Sequence, residues 1–443
     1  MSNTSALSES QTQPSVIVRW ISLLVDTKQG IALGIVFLIL GVVFAGSRAY
    51  LNYSTPTGIF DFDKTGLSDF HNGGYLPALA FREGVNPYSP EVCAPYKMAR
   101  STPPYSPVVF MFHLPFTYMP LAVADVVYTG FNLSLLGLLA AFSLTMSKTK
   151  FQWGPWIWIF GLFVFSRAGH ISLFTGYFTA QLVVGTIVAV HFAKSRPSIS
   201  GLGMLIASGK PTYILPLIIL MVYRKNFKAL VIGILFCSIG AAIGLGWLAS
   251  HSSLGEVIDG VKAGETAHDD DPTEHPVNTW TRLDTPGVVA KLVDWKPGNP
   301  TYLAMMLVLL IVPGIAIWKT ADHESNSGVT GLTGMILCLA LLLTIYHHSY
   351  DSLLIAVAWV AVTFFGNQVC TDLNLMERRS LTVLLGIPAL NYVATMRFRN
   401  AMGVDNQSLI WNVVTSVNGV CLLLSLILVV NAAFRLRRSL NVT

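Results

Sequence analysis

Residues 30–51 read GIALGIVFLILGVVFAGSRAYL, an apolar run that decides what kind of molecule this is. A helix needs about 20 such residues to cross about 30 Å of hydrocarbon. Comparable runs recur at 121–146, 155–166, 171–193, 229–249, 301–318, 329–345, 352–365, 381–396 and 409–434. The chain is 53% hydrophobic and 12% charged over 443 residues, against about 25% charged in soluble domains. It reads as an all-α polytopic membrane protein, a bundle of about 10–12 transmembrane helices in contact with the lipid bilayer.

In such a chain the net charge of +5 says nothing of nucleic acid, and no nucleic-acid partner is expected. What matters is which loops carry the charge. Five cysteines form no CxxC pair, so neither a disulfide framework nor a zinc site is indicated. Residues 1–29 are polar and lack the basic start and short apolar core of a cleaved signal. They read as a disordered cytoplasmic tail, followed by a membrane module over 30–366 and a C-terminal part, 367–443, with further helices and a short basic tail.

Two apolar pieces resist reading as simple crossings. Residues 104–120 are short and bounded by proline, and 201–223 are interrupted by SGKPT at 208–212. If 201–223 is a broken hairpin and 104–120 stays on the outer face, all the short basic loops fall on one side: 147–150, 193–196, 223–228, 318–321, 377–379 and 435–438. The positive-inside rule makes that side the cytoplasm. Irregular backbone at membrane depth is tolerated only where protein or a wet cavity lines it, so a cavity is expected near Lys210.

The same parity gathers two long loops, 52–103 and 250–300, with the turns at Arg167/His170 and YHHSYD (346–351) on the outer face. Loops this long that are not disordered serve as lids or binding surfaces. The first holds SDFHNGGYLPALAFREGVNPYSP at 68–90. Its aromatics and closing GVNPYSP predict a short amphipathic helix lying flat on the membrane, which would fix the Asp69 carboxylate at the boundary between lipid and water. Asp61 and Asp63 lie in the looser approach. The ordinary reading of Asp69 is a helix cap.

His347, His348 and Asp351 crowd titratable groups at one bilayer surface, where ionisable side chains are functional candidates. Lys210 sits midway along an apolar stretch; unless it snorkels, it needs a partner, and a bound phosphate would supply the counter-charge. Arg167 and His170 could act similarly, or form a structural ion pair. HDDDPTEH at 268–275 has hard oxygen ligands suited to a divalent cation, yet it reads better as a solvated turn, and no metal is expected. No Walker loop, dinucleotide fingerprint or hydrolase triad motif is present, so no nucleotide cofactor is indicated.

The order of these features resembles the polyprenyl-phosphate-mannose-dependent α-1,2-mannosyltransferase family, glycosyltransferase family 87 of the GT-C superfamily. The resemblance runs from about residue 30 to 366. It rests on Asp69-Phe70 and Gly74-Tyr75, GVNPY at 84–88, PPYSP at 103–107, LPFTYMP at 114–120, SGKPT and HHSYD. Where the family often has a Gly-Gln-x-Asn-like element, this chain has TGYFTAQ at 175–181. The resemblance implies a multispanning inner-membrane enzyme of cell-envelope glycan biosynthesis with a GT-C-type fold. It would use a polyprenyl-phosphate sugar donor outside the cytoplasm and a glycolipid or glycan acceptor. Asp69 maps to its catalytic Asp, its late-loop histidine to His347 or His348, and its lysine before proline to Lys210; Tyr75 and Asp351 are further candidate substrate contacts. The chemistry is compatible: a lipid-phosphate leaving group needs no strong acid, so one carboxylate can deprotonate the attacking hydroxyl while cations such as Lys210, Arg167 and His170 stabilise the phosphate. A lipid-linked sugar transporter or flippase shares the broken helix and central lysine, but no repeat relates the two halves. An oligosaccharide ligase or polymerase would differ chiefly in its pyrophosphate-linked donor.

Overall fold

A computed structural model describes residues 27–100, 102, 104–269, 275–295, 298–322, 328–405 and 408–440. It is all-helical, and the only β-type pairings among the described residues are isolated bridges between Tyr53 and Gly66 and between Arg282 and His348. In chain order the helices are α1 (Lys28–Leu51), α2 (Leu76–Arg82), α3 (Pro107–Thr117), α4 (Leu121–Met146), α5 (Trp153–Phe165) and α6 (Arg167–Thr175). Next come α7 (Thr179–Phe192), α8 (Pro197–Ala207), α9 (Pro211–Tyr223), α10 (Phe227–Ala249), α11 (Leu254–Asp269) and α12 (Thr285–Val293). The remainder are α13 (Asn299–Thr320), α14 (Leu332–Thr344), α15 (Leu353–Val369), α16 (Leu375–Leu390), α17 (Met396–Met402) and α18 (Leu409–Leu440).

Among the described residues six helical segments are long and apolar enough to span a membrane, or seven if α5 and α6, bent by 67°, form one span. That is fewer than the apolar runs predict. The run at 171–193 is one predicted crossing but two helices, because Gly176 turns the chain with φ +71°, where a side chain is disfavoured. The runs at 329–345 and 381–396 likewise form the shorter α14 and the offset α16.

Helix α1 shows how the sequence sorts protein-facing from lipid-facing surface. Its buried positions are Gly30, Gly34, Gly41 and Ala45, a seam of small residues on one helical face. This seam lets α5 approach so closely that a Cβ on Gly41 would meet Phe165 and Val164 at 2.9 Å. Leu33, Val36, Leu40 and Val43 point away and are exposed, as suits a surface solvated by lipid.

The interrupted run folds as the predicted hairpin. Ser200, near its start, donates to the Ala189 carbonyl at 2.6 Å, and Arg224, at its end, donates to the Val190 carbonyl at 2.7 Å. Both ends therefore lie beside the same end of α7. The tip, at Lys210, lies beside Thr179 at the other end, since both side chains reach Asp351. At 1.5 Å per residue the 11 residues of α8 cover about 16 Å, half a hydrocarbon layer. Proline at the first position of α9 starts the return helix without needing a main-chain donor there.

The basic loops meet at one end of the bundle. Lys194 donates to the Ala321 carbonyl at 2.9 Å, Lys225 pairs with Asp322, Arg435 pairs with Glu377, and Thr330 donates to the Met146 carbonyl at 3.1 Å. The long loops meet at the opposite end.

The tightest approach in the hairpin predicts its own test. A Cβ on Gly203 would lie 2.5 Å from both the Gly185 carbonyl oxygen and the Ala189 amide nitrogen, and neither main-chain atom can move alone. Gly203→Ala should push α8 off α7 and cost about 1–3 kcal/mol, read as a lowered thermal midpoint in detergent. Gly130→Ala, with nothing within 4 Å, should leave the midpoint unchanged or raise it.

Candidate active site

At the end that holds the long loops, the turn between α14 and α15 carries HHSYD. Asp351 is the third residue of a helical turn, Ser349–Ser352, whose N-cap is His348, and it accepts the His348 amide at 3.0 Å, the arrangement that holds a carboxylate at a helix start. Its Oδ2 also accepts from the Lys210 ammonium at 3.2 Å and lies 3.1 Å from His347 Nδ1. Its Oδ1 accepts from the Tyr213 hydroxyl at 2.8 Å and the Thr179 hydroxyl at 3.5 Å. The carboxylate is fully enclosed, at 0% exposure.

Lys210 is thus not waiting for an anion. Asp351 is its counter-charge, and the rings of Tyr177, Tyr213 and Tyr350 surround the ammonium at 5.5, 5.8 and 5.7 Å, each a favourable cation–π position. These protein groups line the space around Lys210, whose side chain keeps 5% exposure. His347 is fully buried, and His348 Nδ1 lies 2.6 Å from the Thr281 hydroxyl.

The second long loop clamps the turn from outside. Leu283 donates its amide to the His347 carbonyl at 3.0 Å, Ser349 donates to the Thr281 carbonyl at 2.8 Å, and the His347 amide donates to Asp284 at 3.3 Å. Asp284 in turn accepts two hydrogen bonds from Arg282, at 2.9 and 2.7 Å. Burial pushes the Asp284 carboxyl up, but the Arg282 charge and hydrogen bonds, with the Gly287 and His347 amides, hold it below its ordinary value. Lys291 is buried beside the pair, donating to the carbonyls of Arg282 at 2.9 Å and Thr415 at 3.2 Å. Burial lowers its pKa to about 7 although Asp284 opposes the shift.

Asp69 sits in the first turn of a helix that starts at Ser68 and runs through a π-helical segment, His71–Tyr75, into α2. It is not the cap; Leu67 occupies that place with φ 58°. Protein covers one face of this helix: Ala78, Ala80 and Phe81 are buried. The Arg82 side chain donates to the Thr117 carbonyl at 2.5 Å, and the Tyr75 hydroxyl donates to that of Met119 at 2.8 Å. Seven apolar-rich residues signal burial but not whether lipid or α3 provides it. Asp69 Oδ1 accepts from Arg100 at 3.0 Å, and the side chain keeps 16% exposure. Its charge also reaches Tyr128 and Tyr350.

The motifs picked out in the sequence close on one another. Leu67 donates its amide to Phe174 at 2.8 Å and Ser106 donates to Gly209 at 3.1 Å. The Tyr88 hydroxyl donates to the Tyr105 carbonyl at 2.6 Å, the Tyr105 and Tyr177 hydroxyls meet at 3.0 Å, and the Tyr177 and Tyr350 rings are 4.5 Å apart. Asp69, Lys210, His347, His348 and Asp351 thus belong to one assembly. Tyr75 supports it through α3. Arg167 and His170 stand on its flank: among the described residues Arg167 forms no ion pair but donates to the carbonyls of Asn391 at 2.9 Å and Ala394 at 2.5 Å, and His170 Nε2 lies 2.9 Å from Arg48. Asp61 and Asp63 are exposed on the approach. Residues 270–274 of the acidic run lie outside the described residues, among which there is no group of three metal-ligating side chains.

Sequence reasoning missed Arg100, Tyr105, Tyr177, Tyr213, Tyr350 and the Arg282–Asp284 clamp. Tyr105, Tyr177 and Tyr350 stood inside quoted motifs and could have been found there; nothing local marks Arg100 or Arg282.

A polytopic helical bundle with an enclosed polar hub and a more open carboxylate at one end defines the class. The profile of glycosyltransferase family 87 matches residues 104–363, more than half of the chain, and the protein belongs to that family. It is a membrane glycosyltransferase. The match begins after the loop that carries Asp69. No curated protein and no solved structure matches the chain significantly.

Two outcomes follow for the hub. Lys210→Met should strand the Asp351 charge and cost about 3–5 kcal/mol, while Lys210→Met with Asp351→Asn should recover part of that loss in thermal unfolding. Because Lys291 loses its proton in the folded chain near 7 and in the unfolded chain only at higher pH, the unfolded state binds more protons in between. Stability should therefore rise with pH from about 7 upward, by at most about 1.4 kcal/mol per unit, and Lys291→Met should flatten that rise.

Proposed function

We propose that the enzyme moves a hexose, most simply mannose, from a polyprenyl-phosphate donor to a hydroxyl of a glycolipid or glycan acceptor. Asp69 is the general base. The observation that carries this reading is the difference in access between carboxylates: Asp351 and Asp284 are enclosed at 0% exposure, whereas Asp69 keeps 16% on the rim of the same assembly. A general base must meet the proton it removes. Asp69 takes the acceptor proton as that oxygen attacks the anomeric carbon, the bond to the phosphate breaks on the opposite face, and the configuration inverts. The departing lipid phosphate is a stable anion, so the reading calls for neither a strong acid nor a metal, only for positive charge near the phosphate.

The basic loops gather at the far end of the bundle, which supports an inner-membrane orientation with the reaction on the extracytoplasmic face. The product would then enter the cell-envelope glycan. The test is transfer by purified protein in lipid, offered polyprenyl-phosphate mannose or glucose with host glycolipids. Asp69→Asn should lower the rate by about 10²–10⁴-fold with an unchanged thermal midpoint. Full activity in this variant would move the base elsewhere, and movement of lipid or solute in vesicles without any transfer would replace the enzyme by a transporter.

A further inference from the structure

Beside the site lies a cluster of positive charge that the hub does not use. Arg48, in the last turn of α1, places Nη1 2.9 Å from His170 Nε2 and its guanidinium 4.1 Å above the Phe174 ring. Arg167, buried at 2% exposure, holds the carbonyls of Asn391 and Ala394. It thereby fixes the turn into α17, whose first turn carries the exposed Arg397. The Arg397 charge acts on Arg48, and those of Arg48 and Arg167 act on His170. Among the described residues none of the three arginines pairs with a carboxylate. The Nε atoms of Arg48 and Arg167 are buried with no hydrogen-bond partner. Helix α6 also starts at Arg167 and adds the positive end of its dipole.

Like charges collected in a half-buried place repel one another unless an anion joins them. Guanidinium groups favour phosphate, which accepts paired hydrogen bonds from them. The surroundings say what the phosphate is attached to. The Phe44 ring stacks on His170 at 4.8 Å and is half exposed, and Val43, Tyr50 and Leu51 beside it are exposed along the outer half of α1. That face is built for hydrocarbon. The ring under Arg48 belongs to Phe174, whose carbonyl binds Leu67, two residues before Asp69.

We propose that Arg48 and Arg397 bind the phosphate of a polyisoprenyl phosphate over a floor formed by Arg167 and His170, with the chain running along the outer half of α1 past Phe44. This rests on the prenyl-phosphate donor reading and assigns its phosphate away from Lys210, which Asp351 already neutralises. Asp69 then stands beside the sugar end of the donor.

The test is equilibrium binding of geranylgeranyl phosphate to the full-length protein in phosphatidylcholine nanodiscs, with Arg48→Gln, Arg397→Gln and the double variant. Geranylgeraniol, inorganic phosphate and phosphatidylglycerol serve as competitors. Each single variant should weaken binding about tenfold or more, the double variant further, and no competitor should displace the prenyl phosphate efficiently. Arg397 is exposed, so Arg397→Gln reports on binding even if Arg48→Gln disturbs folding. Unchanged affinity in the double variant overturns the site. Displacement by inorganic phosphate makes it a free-anion site, and displacement by phosphatidylglycerol makes it a general lipid site; either overturns the prenyl assignment. Asp69→Asn should bind normally. Wild-type protein that binds through Arg48 and Arg397 yet transfers no sugar from any prenyl-phosphate donor supports this site while overturning the donor reading alone.

Discussion

The Asp351 carboxylate is the contact on which the rest of the site depends. A charge removed from water costs several kcal/mol unless its lone pairs are satisfied, and here the donors come from far apart in the chain. Thr179 begins α7, Lys210 caps the start of α9 with Tyr213 in its first turn, and His347 and His348 precede α15. The hub can close only when the hairpin tip, the start of α7 and the turn after α14 have all arrived. It therefore acts as a registration point, setting how deep the hairpin sits and which way the HHSYD turn faces. The β-type bridge between Arg282 and His348 then lays the second long loop across the same turn.

Around that hub the charged groups divide by access. Pairs with both members enclosed, Lys210 with Asp351 and Arg282 with Asp284, consume their own hydrogen-bonding capacity and leave little for a ligand. Asp69, partly exposed beside Arg100, and the Arg48–Arg397 flank, which lacks a carboxylate partner among the described residues, keep hydrogen-bonding capacity that the enclosed pairs have used up. A buried ion pair is weak evidence for stability and better evidence for specificity of arrangement. Held on helix ends instead of in the middle of loops, these groups need little reorganisation to work.

How much of this was legible in the sequence follows from the range of each signal. Apolar runs mark the helices, and a proline marks where a run breaks, as at Pro211, because it acts on its own backbone; the break at Gly176 lies inside a run that reads as one crossing. The hairpin could be foreseen because basic loops constrain parity. Partners could not. Lys210 was recognised as needing an anion, yet its carboxylate lies 141 residues away, and no local pattern distinguishes that partner from a ligand. That α3 covers one face of α2 is likewise not legible, because an apolar face does not reveal which apolar medium covers it. Arg100 and Arg48 gave no sign at all, each being a single arginine in an ordinary context.

Arg167 and Lys291 share a habit: both hold main-chain carbonyl oxygens, Asn391 and Ala394 for the first, Arg282 and Thr415 for the second. Three of those four oxygens belong to the C-terminal part, beyond residue 363 where the family match ends. A grip on backbone is indifferent to the side chains that the backbone carries. The terminal helices can therefore drift in sequence across relatives while their attachment persists, provided that the path of the chain at 391–394 and at 415 is kept. Divergence in that region would alter its exposed surface without loosening its mooring to the rest of the bundle.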